Sequence, residues 1–173
     1  MNFIAEPLYR SDLREYARGI RKQIGYSSKL CFPVGRFLEV FHELINDEDF
    51  YFECVQDDYF PSNTHAVYDV DDNCVRVRDS VYVNAMRGNG RDRMTIMHEL
   101  SHVLLIKVSG IKLYRTMSNC KIEFFRDPEW HAKCLAGEIM VPAHLVSGMT
   151  AQDIAIKCGV SMPAAEYQLR FVK

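Results

Sequence analysis

Three side chains able to bind a metal or activate water, His98, Glu99 and His102, interrupt an otherwise apolar run, "RMTIMHELSHVLLIKVSG". The apolar period across it predicts a helix from about Asp92 to Val108, with Asp92 as N-cap and the following "SG" as its stop. Residues four apart on a helix are separated by about 40° around the axis and about 6 Å along it, so the two imidazoles project together and can grip one ion. Glu99 lies about 100° around from His98, which makes it a poor ligand for that ion but leaves its carboxylate able to reach a water held there. Met97, Leu100 and Leu104 occupy one side of the helix, with Ile96 and Val103 close by. Burying imidazole and carboxylate among them without partners would cost about 2–7 kcal/mol per group, and a metal ion with its water removes that cost.

Two histidines need a third ligand, and the downstream candidates are Glu123, Glu129, His131, Glu138 and His144. No histidine follows at the close spacing of the metzincin extension, and "SHVLLIKVSG" lacks its glycine. Glu129 opens a predicted helix in "DPEWHAKCLAGEIMVP", whose Trp130, Leu135, Ile139 and Met140 would pack it beside the motif helix. Two histidines and one glutamate leave a fourth position for water, the pattern of a catalytic zinc site, so one Zn2+ per chain is expected.

The elements that must position these residues follow from period and punctuation. Leu13, Tyr16, Ala17, Ile20 and Ile24 recur at helical spacing between Ser11 and about Gly25, with Ser11 or Asp12 as N-cap. Pro33 to about Ile45 predicts a second helix with Phe37, Leu38, Phe41, Leu44 and Ile45 inward. The period then changes: "FYFECVQ", "HAVYDV" and "CVRVRDSVYVNA" are short and rich in β-branched and aromatic residues, which predicts a small antiparallel or mixed sheet of about three strands. Arg76 and Arg78, alternating with Val75 and Val77, predict one wet face. Within the last of these segments, "SVYVNA" is expected to form an edge strand along which an extended substrate could pair. "IKLYRTMSNCKIEFF" reads as loop, with a strand around residues 122–125, and two short helices capped by Thr150 and Ser161 close the chain.

The fold class expected is α+β in a single domain over residues 1–173: a helical part over about 1–48, a core over about 50–145, and C-terminal helices over about 146–173. The chain has 173 residues, 48% hydrophobic and 25% charged, with a formal charge of -2, so its overall balance does not point to a protein that coats nucleic acid or an anionic membrane. The N-terminus has neither a basic stretch nor a continuous apolar one, and no run reaches membrane-spanning length, so the cytoplasm is the expected location. Six cysteines without a C-x-x-C lack zinc-ribbon grammar and read as small buried hydrophobes. Cys120 stands apart because it falls between the two motifs.

The stretch "RDRMTIMHELSH", followed 27 residues after His102 by Glu129 in "DPEWHAKCLAGEIMVP", resembles the ImmA/IrrE family of metallopeptidases over about residues 70 to 145. That family shows a basic residue and a Thr before H-E-L-x-H, then a segment like E-x-x-A-x-x-F-A-x-x-L-M-P. Glu129, Ala132, Ala136, Ile139, Met140 and Pro142 fit the second pattern, with Leu135 where Phe is usual. The resemblance implies a gluzincin-like site on a zincin-like fold, with His98, His102 and Glu129 as zinc ligands, Glu99 as general base, and Glu138 solvated or supporting the ligands from behind. One departure is Lys133, where gluzincins often place an Asp four residues after the ligand Glu. Tyr82, Tyr114, Arg115 and His131 are candidates to contact the substrate and its developing charge.

By resemblance the activity is peptide hydrolysis. The partner is a helix-turn-helix repressor or an antitoxin, whose cleavage relieves repression. Two alternatives use the same chain differently. One is a non-catalytic metal-binding regulator associated with toxin–antitoxin pairs. The other is a DNA-binding module in "TAQDIAIKCGVSMPAAEYQLR", whose second helix offers only Gln168 and Arg170 as polar readers and no Lys, so direct nucleic-acid binding is not expected.

Overall fold

The computed structural model describes residues 2–116 and 121–172, and Cys120 lies outside them. The class is α+β, with two small sheets and eight α-helices among the described residues.

Strand β1 (Asn2–Ala5) leads into α1 (Arg10–Gln23), which buries Leu13, Ala17 and Ile20. Its N-cap is Tyr9, two or three residues earlier than the Ser11 or Asp12 expected, because the Asp12 carboxylate reaches back to accept the Tyr9 amide at 2.8 Å. An acceptor in the third helical position serves the orphan N–H as well as a capping side chain would. Helix α2 (Val34–Ile45) follows Pro33, buries Phe37, Phe41 and Ile45, and ends on Asn46 in the left-handed region at φ 50°. Asp47, just beyond that end, accepts from Lys107 at 2.8 Å and from Asn73 at 3.1 Å, tying α2 to later elements.

Strands β2 (Tyr51–Val55), β3 (Ala66–Asp69) and β4 (Cys74–Arg78) form a mixed sheet in the order β2-β4-β3, with β4 parallel to β2 and antiparallel to β3. Strand β3 is therefore an edge. Cys74, Val75 and Val77 are buried, while Arg76 lies across the wetter face on Glu53, Asp69 and Asp72.

The extended reading stops at Arg78. "SVYVNA" is not a strand but lies in α3 (Asp79–Met86), where Val81 and Ala85, four apart, are the buried pair and Val83 is exposed. Alternating β-branched residues express a preference for a half-buried pleat, and here burial against α4 overrides it. The edge strand expected at "SVYVNA" is therefore not formed there, and β3 is an edge of the sheet instead.

Helix α4 (Gly90–Lys107) carries the His-Glu-x-x-His motif and buries Ile96, Met97, Leu100, Ser101, Val103, Leu104 and Leu105. Asn89 rather than Asp92 caps it, its side chain accepting the Asp92 amide at 3.0 Å. A Cβ on Gly90 would lie 2.4 Å from the Val160 carbonyl carbon, so only glycine lets the start of α4 meet the chain at Val160 and Ser161 this closely.

Strand β5 (Leu113–Thr116) pairs antiparallel with β1, so the ambiguous segment is extended here and forms a 3-10 turn over Phe124–Arg126, where a strand was expected. Helix α5 (Pro128–Met140) packs on both α4 and α1, and residues Cys134 to Met140 are all buried. Glu138 is among them. It is 2% exposed and pairs with Arg10 at 2.9 Å and Arg14 at 2.8 Å, so it braces α5 on α1 and is neither solvated nor near the motif histidines.

A short α6 (Ala143–Val146) precedes α7 (Ala151–Cys158) and α8 (Met162–Leu169), capped as expected by Thr150 and Ser161. Gln168 is 4% exposed and accepts from Arg10, which seats α8 on the core and removes one of the two polar readers that DNA binding would use. Cys74, Cys134 and Cys158 are buried as small hydrophobes, whereas Cys31 and Cys54 are exposed, contrary to expectation. Among the described residues no helix is long and apolar enough to cross a membrane.

Candidate metal centre

Two helices converge to build the site. α4 presents His98 and His102 from one face, with their Nε2 atoms 3.3 Å apart. α5 begins beside them because Asp127 caps it, accepting the Glu129 amide at 3.0 Å, and this fixes Glu129 in the first turn. Its Oε2 lies 3.2 Å from His98 Nε2 and its Oε1 3.3 Å from His102 Nε2. The two imidazoles, His102 first, hold the Glu129 carboxyl well below the usual carboxylate range.

These three separations permit a fit test. Ligand bonds of about 2.0–2.1 Å at tetrahedral angles put neighbouring ligand atoms about 3.3–3.4 Å apart. The 3.3 Å between the two Nε2 atoms matches that spacing, each imidazole meets a different oxygen of the Glu129 carboxylate, and the donor set of two imidazoles and a carboxylate suits zinc. One ligand atom from each residue lies within 4.8 Å of the others, and this is the group of metal-ligating side chains that converges among the described residues. None of the other third-ligand candidates joins this group among the described residues. Glu138 pairs with arginines, and His144 sits 3.1 Å from the Ser27 carbonyl oxygen.

Glu99 points past the cluster toward β3, where its Oε2 accepts the Tyr68 amide at 2.8 Å. Burial pushes its carboxyl up, opposed by His98, His102 and that amide. The edge strand thus aims this carboxylate with a backbone donor. An amide carries no residue signature, so sequence reasoning had no signal for Tyr68 in this role.

A groove of about 680 Å³ opens over the site, with Glu99, His102 and Glu129 among its lining residues. β3 lines one side through Ala66, Val67 and Tyr68, and the β1–β5 pair contributes Phe3, Leu113 and Arg115. Of the four candidate contact residues, Arg115 is the one that lines this groove. Tyr82 packs on Phe52 with ring centroids 5.9 Å apart, and Tyr114, one residue before Arg115, lies on the opposite face of β5. His131 is buried under the site, its Nε2 2.8 Å from the Phe125 carbonyl oxygen, and burial lowers the pKa of its imidazole. Phe3 was not anticipated, because β1 itself was not.

No family model and no curated protein matches the chain. Among solved structures, a Mycobacterium tuberculosis transcriptional regulator is similar to it, with a TM-score of 0.58 and 13% sequence identity over 92% of this chain. The chain spans 46% of that regulator's length, and at this identity the likeness shows the fold alone.

Proposed function

We propose that the protein is a zinc-dependent endopeptidase of the ImmA/IrrE kind, with a zincin-like core, acting in the cytoplasm on a helix-turn-helix repressor or antitoxin. The observation that carries the reading is the convergence of His98, His102 and Glu129, with ligand atoms within 4.8 Å of one another and Glu99 beside them at an open groove. The repressor as substrate rests on the sequence resemblance.

When bound, a single zinc ion supplies Lewis acidity and lowers the pKa of a water at the site to about 7. His98 and His102 would hold it from one face of α4 and Glu129 from the first turn of α5. Glu99, oriented by the Tyr68 amide, accepts the proton of the attacking water and delivers it to the leaving amine. Burial raises the proton affinity of this carboxyl, opposed by His98, His102 and the Tyr68 amide. The Asp that gluzincins often carry four residues after the ligand Glu is Lys133 here, so that support for a ligand histidine is missing from α5.

The test is incubation of the zinc-loaded protein with a panel of purified helix-turn-helix repressors and antitoxins. The expected result is a discrete pair of fragments from one of them, abolished by a chelator and restored by zinc. Intact repressors with fully loaded protein would overturn the assigned substrate.

A further inference from the structure

Among the described residues that line the groove, Arg115 is the one arginine or lysine. In the β1–β5 register Phe3 stands directly opposite Arg115, so the two side chains share a face, and both line the groove. Ile4 and Tyr114, the next pair, take the other face. Arg115 is exposed and has no carboxylate partner among the described residues.

Several other arginines of the chain are engaged. Arg10 and Arg14 sit on Glu138, Arg76 on three carboxylates, and Arg21 and Arg93 on backbone carbonyls. The groove is also lined by Ile106, Ile111 and Leu113 and by the carboxylates of Asp71, Glu99 and Glu129. A charge-assisted hydrogen bond gains strength in partly desolvated surroundings, and a guanidinium matches a carboxylate in a bidentate fork.

Across the groove, β3 is an edge strand whose outer side faces the site, as the Tyr68 amide on Glu99 demonstrates. Val67 on the strand and Val70 just beyond its end stand exposed. An extended segment between these walls would present alternate side chains to the β1–β5 face.

We propose that Arg115, seated beside Phe3 on the β1–β5 pair, is a specificity-determining residue that receives an acidic side chain of an extended substrate segment lying over the metal centre. The proposal rests on the peptidase reading and assigns its substrate class: segments with Asp or Glu beside apolar residues. Arg115 does not touch the reacting atoms in this account. It selects which segment is held there.

The experiment uses a fluorogenic peptide scanned position by position with Glu, Gln or Lys, against the zinc-loaded protein and its Arg115→Glu and Arg115→Gln variants. At one position the protein is expected to favour Glu over Lys by about tenfold or more in kcat/KM, with Arg115→Gln flattening that ratio and Arg115→Glu reversing it. Anisotropy binding of the same peptides to zinc-loaded Glu99→Gln protein, which needs no hydrolysis, should show the same ranking and weaken as salt rises. Cleavage with no charge preference at any position would overturn the proposal while leaving the peptidase reading intact. An equal fall in kcat for every peptide in the Arg115 variants would also overturn it, since Arg115 would then act on the reacting carbonyl. Charge-ranked binding that depends on Arg115, without any cleavage, would uphold the subsite and overturn the peptidase reading.

Discussion

Replacing Glu99 with Gln is expected to lower peptide hydrolysis by about 10²- to 10⁴-fold while leaving bound zinc unchanged. The two halves of that expectation come from one helical offset. His98 and His102 project together, whereas Glu99 sits to one side, on the Tyr68 amide. A glutamine fits the same space and can still accept that amide through its carbonyl oxygen, so the fold and the ligand cluster stay as they are. What it cannot do is take a proton. Turnover and zinc content measured on the same preparations decide the matter: hydrolysis within tenfold of wild type would remove Glu99 from its role, and loss of metal would make it a ligand.

The largest stability effect is expected at a glutamate that sequence spacing alone leaves among the ligand candidates. Glu138→Ala should cost about 3–5 kcal/mol in urea denaturation, because it strands Arg10 and Arg14 around a buried position with their counter-charge gone. Arg14 also donates to the Phe171 carbonyl and Arg10 to Gln168, so the loss should loosen the chain end and α8 together. The folded fraction should still bind zinc, since Glu138 lies on the α1 side of α5. A cost below about 1 kcal/mol would mean that the pair contributes little beyond its own desolvation.

Much of the fold was legible because the helices announce themselves twice, by period and by cap. Leu13, Ala17 and Ile20 mark α1, Phe37 and Phe41 mark α2, and Thr150 and Ser161 start α7 and α8 where their side chains can accept amides. The cap positions of α1 and α4 were displaced, each toward a residue three before an aspartate that takes part in the cap.

The errors have a common cause in tertiary pairing. Val81 and Val83 alternate like a strand, yet it is Val81 and Ala85 that find a buried surface, as a helix allows. Strand β1 is four residues long and exists because β5, more than a hundred residues later, supplies its partner, a relation that no local pattern carries. That missing pair hid the wall holding Phe3 and Arg115.

At the site, His98, His102 and Glu129 were legible because i, i+4 spacing and a capped helix start are local facts that dictate where side chains point. Glu99's aim was not, because it is set by a backbone amide on β3. Glu138 was misjudged for a related reason: its two arginines come from α1, and an acid late in α5 gives no sign of what covers it.

The central claim is that His98, His102 and Glu129 hold one zinc ion, and elemental analysis of protein purified without added metal tests it most directly. The account predicts close to one zinc per chain in wild type and in Glu99→Gln, and almost none in His98→Ala or Glu129→Ala with both variants folded. Wild-type protein carrying less than about half an equivalent, or His98→Ala retaining as much zinc as wild type, would contradict it.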